Sequence, residues 1–171
     1  MCDKRHVVHC DVKLDNLMLF GETVAKLGDF GLAVRVQRDG LTAYRTFKPR
    51  YAAPEFRGTG RYGCPVDMWS VGIVLFELLT GTRRYHQRIC SVRRVRLPKM
   101  AGVDGAAQEL FERLVSLDPG ARPTADEVLA HPWVVGTSTN STTIRAGAGS
   151  SSVILMRDSG PSSANSVSYH L

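Results

Sequence analysis

HVVHCDVKLDNLMLF, residues 6 to 20, is the stretch from which the rest of the chain is read. Val7 and Val8 lead into a polar run and NLMLF leads out of it, the pattern of a strand, a loop and a second strand. The loop gathers a carboxylate at Asp11, an ammonium at Lys13 and a carboxamide at Asn16, with His9 and Cys10 just before them. A further apolar run, VAKLGDF, follows Gly21-Glu22-Thr23, and the two runs together predict a β-hairpin. Such a hairpin returns the chain, so that Asp29 comes up beside the loop that holds Asp11.

These residue types suit one kind of chemistry. Asn16 and Asp29 offer two oxygens from adjacent strand ends, which fits Mg²⁺, an ion that keeps several waters and takes few protein ligands beside phosphate oxygens. Asp11 is then free to orient a hydroxyl and accept its proton, and Lys13 can neutralise charge on a transferred phosphoryl group. Gly31 is expected to supply the backbone freedom that turns Asp29 inward while Phe30 packs away.

Outward from the hairpin, Gly31 to Arg50 is polar and without period, and reads as a long loop. DMWSVGIVLFELLTG from Asp67 carries apolar residues on every side at helical spacing, and Gly81 supplies a stop, so a buried central helix is expected. A second helix is expected over Ala106 to Leu117, with Leu110, Phe111, Leu114 and Val115 on one face. A third starts at Thr124, where TADE is a capping box, and ends near His131-Pro132-Trp133. Beyond that the composition turns to Ser, Thr, Gly and Ala, with too little to bury to offset ordering entropy. Residues 136 to 171 are therefore expected to be a disordered tail.

With 171 residues, 43% of them hydrophobic, the chain can form one globular core. Its net charge of +6 is concentrated in RRYHQRICSVRRVRLPK, Arg83 to Lys99. A basic stripe is more often a solvated face than a nucleic-acid contact, so nucleic acid is not the expected partner. The cysteines, Cys2, Cys10, Cys64 and Cys90, lack the paired spacing of a zinc site and read as reduced thiols. No secretory signal is visible, and VGIVLFELL is too short to cross a bilayer, so a cytoplasmic location is expected, with the nucleus as the alternative.

In order along the chain, these features resemble the C-terminal lobe of a eukaryotic-type protein kinase, over roughly residues 5 to 133. His9-Cys10-Asp11 with Lys13 and Asn16 is similar to the family's catalytic loop, Asp29-Phe30-Gly31 to its metal-binding triplet, and Ala53-Pro54-Glu55 to the end of its activation segment. Asp67 with Trp69, Ser70 and Gly72 resembles the start of the central helix, and Arg122 the partner of Glu55. The resemblance implies an α+β, mainly helical fold with a small β-hairpin, occupying residues 1 to 135. It implies ATP and Mg²⁺ as cofactors, Asp11 as base, Lys13 as phosphate contact, Asn16 and Asp29 as metal ligands and Met18 as the floor under adenine. Lys13 points to Ser or Thr of a protein as acceptor. Thr42, Tyr44 and Thr46 become phosphosite candidates, while His9, Phe30, Gly31, Glu55, Asp67 and Arg122 become structural.

The sequence departs from the family in three places. Cys10 stands where most members carry an Arg that receives an activation-segment phosphate, and a thiol offers no comparable fork. A small buried side chain is the plain reading of Cys10, with redox chemistry as the other. Lys48 stands where Ser/Thr kinases usually carry a Thr. The Gly-rich phosphate cover, the strand Lys with its Glu and the hinge do not precede His6, so the chain is expected to represent the lobe alone and to bind ATP weakly. The alternative is a catalytically inactive interaction module, or a partial gene product, whose exposed apolar face takes a partner.

Overall fold

The computed structural model describes residues 7–21, 24–42, 51–57, 60–82, 100, 102–137, 143–145, 152–154, 156–157 and 167–168. β1 (Val7–Val8) enters the polar loop, a 3-10 turn at Leu14–Asn16 leaves it, and β2 (Leu17–Phe20) and β3 (Val24–Leu27) pair antiparallel from Leu17 opposite Leu27 to Phe20 opposite Val24. Gly21 takes the left-handed torsion at the hairpin turn, with φ 62°. β4 (Val34–Arg35) returns to pair with β1, and β5 (Leu41–Thr42) pairs with β6 (Tyr62–Gly63). The stretch from Gly31 is therefore not all loop. Its two short strands are too brief to show a period of two, and each is ordered by a partner distant in sequence.

α1 (Pro65–Thr80) is the axis of the helical part. Pro65 suits its first turn, where the missing N–H has no helical partner to lose, and Gly81 ends it at φ 67°. Residues on every side of α1 are covered, none being exposed. α2 (Gly105–Leu114) is capped by Asp104, which accepts from the amides of Ala106 and Ala107 at 2.8 and 3.3 Å. The two helices approach closely at Gly72, where a Cβ would stand 2.8 Å from Val115 Cγ1 and 2.9 Å from Leu114 Cβ. The rings of Phe76 and Phe111 meet beside this contact at 5.4 Å between centroids.

α2 stops three residues short of the expected Leu117: Asp118 is extended ahead of Pro119, which disfavours helical torsions there, and the carbonyl of Ser116 is taken up by Arg122 Nε at 2.9 Å. The capping box forms as expected: Glu127 N donates to Thr124 Oγ1 and Thr124 N to Glu127 Oε2. α3 (Ala125–Leu129) is then short, and a new helix, α4 (Pro132–Thr137), follows it. Pro132 disfavours helical torsions at His131, and His131 Nδ1 caps the new helix by accepting from Trp133 N. In the tail, β7 (Thr143–Arg145) pairs with β8 (Ser152–Ile154) and β9 (Met156–Arg157) with β10 (Val167–Ser168). The basic run Arg83 to Lys99 lies outside the described residues. Cys10 is a free, buried thiol, whereas Cys64, expected to be free as well, is disulfide-bonded; Cys2 and Cys90 lie outside the described residues. No helix among the described residues is long and apolar enough to cross a membrane.

Candidate active site

The polar loop is fastened from below by α1. Asp67, in the first turn of α1, accepts from the amides of His9 at 2.7 Å and Cys10 at 2.9 Å. These bonds hold Cys10 in a left-handed conformation, φ 65°, which a residue with a Cβ adopts only under constraint. His9 ties the loop to the hairpin: its Nε2 meets Gly28 O at 2.9 Å and its Nδ1 accepts from Asp11 N at 3.3 Å. Those partners assign the neutral tautomer with the proton on Nε2. The His9 ring also packs edge-on against Phe30, with centroids 4.6 Å apart.

Asp67→Ala would leave two amides of the loop without their acceptor, and the expected cost is roughly 1–3 kcal/mol. Burial raises the Asp67 carboxyl above its ordinary value of 3.8, outweighing the opposing hydrogen bonds from His9 and Cys10. The folded chain then holds this proton more tightly than the unfolded chain. The contribution of Asp67 is thus largest below pH 3.8 and declines as pH rises through the elevated value. Denaturant unfolding of wild type and Asp67→Ala across that range should show the difference narrowing with rising pH; a widening difference would contradict it.

Two donors converge on one oxygen of Asp11. Lys13 Nζ reaches Oδ2 at 2.6 Å and Asn16 Nδ2 reaches the same atom at 3.1 Å, while Asn16 Nδ2 also donates to Asp11 O at 2.8 Å. Asp11 and Asn16 are buried and Lys13 is half-buried. The hydrogen bond to Asp11 is the main cause of a raised Lys13 pKa, and the charges of Asp15 and Asp29 add to it. Gly28 N donates to Asn16 O at 2.9 Å, which brings Asp29 to the side of the loop that carries Asn16.

Asp29 is exposed, and the backbone freedom expected of Gly31 is not what turns it: Asp29 itself takes the left-handed torsion, at φ 56°. Asp29 Oδ1 accepts from Gly31 N at 3.3 Å, and a Cβ on Gly31 would stand 3.1 Å from that oxygen, a tight contact that would press on this bond. Met18 is 48% exposed on β2, and its terminal methyl lies over Gly28. Phe20 on the same strand and Phe30 in the 3-10 turn after the hairpin are about as exposed. Glu55 and Arg122 form a two-pronged ion pair, Nη1 to Oε1 at 2.6 Å and Nη2 to Oε2 at 2.8 Å. Thr42 is buried opposite Tyr62, while Tyr44, Thr46 and Lys48 lie outside the described residues.

The Cys10 thiol lies 3.9 Å from Tyr62 Oη and 3.8 Å from Val8 O. Burial first, then the charge of Asp67, pushes its pKa up to about 12, so it stays a thiol, which favours the packing reading over redox chemistry. Sequence reasoning missed a second buried acid, Glu77 on α1, which accepts from Tyr51 Oη at 2.8 Å while Ser70 Oγ donates to Tyr51 O at 3.1 Å. The signal was present: an acidic residue within a helix covered on all sides needs a buried donor.

A family model described as the protein kinase domain matches residues 1–134. A probable serine/threonine-protein kinase of Zea mays is 35% identical over 142 residues, covering 76% of this chain and 22% of that protein. The calcium/calmodulin-dependent protein kinase type II subunit delta of Oryctolagus cuniculus is 35% identical over 147 residues, covering 78% of this chain and 27% of that protein. A probable serine/threonine-protein kinase of Dictyostelium discoideum is 33% identical over 137 residues, with 78% of this chain and 20% of that protein covered. The chain thus spans between a fifth and a third of the length of these curated relatives. Because the match runs from the polar loop through the hairpin and central helix to the last capped helices, the chain belongs to the protein kinase domain family.

Proposed function

We propose that residues 1 to 135 are the C-terminal lobe of a protein serine/threonine kinase domain, whose site moves the γ-phosphate of ATP onto a hydroxyl of a protein. The observation that carries this reading is the asymmetry at Asp11. Lys13 and Asn16 both occupy Oδ2, and among the described residues no donor is assigned to Oδ1. A carboxylate held by one oxygen with the other open is suited to orient an acceptor hydroxyl and take its proton.

The donor set fits Mg²⁺. Asn16 commits its Nδ2 to Asp11, which leaves Oδ1 as the oxygen available to a hard cation, and Asp29 adds an exposed carboxylate from the adjoining strand end. Among the described residues no three His, Cys, Asp or Glu side chains form a closed metal site, and two oxygens beside phosphate suit Mg²⁺ better than such a cage. Bound there, the ion would neutralise phosphate charge; Lys13 adds a cation on the same side, and Met18 offers an exposed apolar surface for the adenine ring. Cys10, in the place of the family's usual Arg, leaves no guanidinium at that position to collect a phosphate.

Thermal melting in ATP with excess Mg²⁺ tests the reading. Binding to the folded chain alone raises the melting temperature, and the rise grows with the logarithm of ligand concentration above the dissociation constant. A rise that disappears with a chelator and in Asp29→Asn is expected. No rise at ATP concentrations in the millimolar range would favour the second reading, an interaction module, which the exposed Met18, Phe20 and Phe30 support.

A further inference from the structure

β5 belongs to the segment between Gly31 and Ala53, which in the reading above is the activation segment. In most relatives of that kind, by the resemblance described above, an Arg at position 10 would pair with a phosphate on this segment. Here the position holds a neutral thiol, so whatever sets the segment must lie elsewhere.

Two features, a side-chain fork and a strand ladder, fasten residues 37 to 42 to residues 61 to 63 just ahead of α1. Arg61 forks onto Asp39, Nη1 to Oδ2 at 2.7 Å and Nη2 to Oδ1 at 3.0 Å, and the same Nη2 reaches Gln37 Oε1 at 2.9 Å and Leu41 O at 3.4 Å. One guanidinium therefore spans the whole turn. The turn is itself closed by Gly40 N donating to Gln37 O and Gln37 N to Leu41 O, both at 2.9 Å, with Gly40 at φ 77° and Asp39 Oδ1 capping Leu41 N. The ladder of β5 on β6 continues this contact, with Leu41 opposite Gly63 and Thr42 opposite Tyr62. Gly40 O lies so close to Gly63 that any side chain there would collide with it. Tyr62 then passes the contact inward, because it is buried, packs on Phe56 at 4.6 Å and sets its hydroxyl beside Cys10 Sγ.

We propose that residues 37 to 42 are latched to residues 61 to 63 in the unmodified chain, by the Arg61 fork on Asp39 backed by the Thr42 to Tyr62 ladder, so that this segment is set without a phosphate. The latch ends on Cys10, where the family's usual Arg would begin its own connection to the segment. Thr42 is buried within the ladder, so a phosphate there would have to open the latch rather than close it. The contact itself rests on geometry alone; only its place in an activation segment rests on the kinase reading.

Amide hydrogen exchange on the unphosphorylated full chain, its mass verified, tests the proposal. Gln37 and Gly40 should be protected in wild type. In Arg61→Ala, exchange over residues 37 to 42 should rise roughly five-fold, the size expected for losing an exposed ion-pair fork, while the β1 and β4 amides stay unchanged. Gly63→Ala should open the same ladder by collision, without removing a charge. Exchange at the unstructured rate in wild type, or protection that survives both variants, overturns the latch, as does protection that appears only after phosphorylation. If Gly63→Ala unfolds the whole chain, Arg61→Ala alone decides. The readout is independent of turnover, so an inactive chain with a protected segment keeps the latch while refuting the kinase reading.

Discussion

On the proposed kinase reading, Asp11→Asn is expected to lower phosphoryl transfer to a protein hydroxyl by roughly 10²- to 10⁴-fold, the range for loss of a positioned general base. The variant keeps the shape of the side chain and loses its basicity. Lys13 Nζ and Asn16 Nδ2 both donate toward Oδ2, so the new carboxamide must turn its oxygen to that side. Its Nδ2 then faces the place of the acceptor hydroxyl, a donor where an acceptor is needed. The Asn16 bond to Asp11 O runs through the backbone and survives. Fold stability should therefore change little, and the melting temperature separates lost chemistry from lost structure. Initial rates with γ-labelled ATP, on the chain itself and on Ser/Thr peptide mixtures, give the measurement. Asp15→Asn, an exposed neighbour on the same turn, serves as the control that should keep its rate. Equal turnover by wild type and Asp11→Asn would remove the base, and no turnover by wild type would leave the interaction module standing.

The parts of the fold legible in the sequence are those whose signal is local. α1 announces itself by apolar residues on all sides and by Gly81, and the capping box of α3 by Thr124 and Glu127, since each depends on neighbours within a turn or two. β2 and β3 were legible because a short turn joins two apolar runs. What escaped was set by partners distant in sequence. β4 and β5 exist only through pairing with β1 and β6, and the carbonyl of Ser116 just past α2 finds its donor in Arg122. At the candidate site the residue types were legible and their division of labour was not. Nothing in the spacing says that Lys13 and Asn16 share one oxygen of Asp11, or that the strained torsions fall on Cys10 and Asp29. The Arg61 fork was equally hidden, because it joins residues 22 apart across a segment that sequence pattern alone reads as loop.

Glu55→Ala is expected to destabilise the fold by about 3–5 kcal/mol, a large part of the stability of a domain this size. The reason is the burial of the partner. The Arg122 side chain is 0% exposed, against 20% for Glu55, so the guanidinium cannot turn to water when the carboxylate is removed. Ser116 O and Pro65 O still accept from it, at 2.9 and 2.8 Å, and the Trp69 ring lies 5.1 Å from its central carbon, but none of these neutralises the charge. Glu55→Gln should cost less than Glu55→Ala, since one oxygen remains to accept from Nη1 or Nη2. Replacing both partners, as in Glu55→Leu with Arg122→Met, removes the stranded charge and should recover part of the loss. Full recovery is not expected, because the carbonyls of Ser116 and Pro65 would lose their donor where α1, α2 and the turn before α3 meet. Denaturant midpoints for the three variants give the order, with the slope of the transition checking that the unfolded state is the same in each. If Glu55→Ala and Glu55→Gln both fell within about 1 kcal/mol of wild type, the pair would be behaving as an exposed ion pair, and Arg122 could not be the joint between these elements.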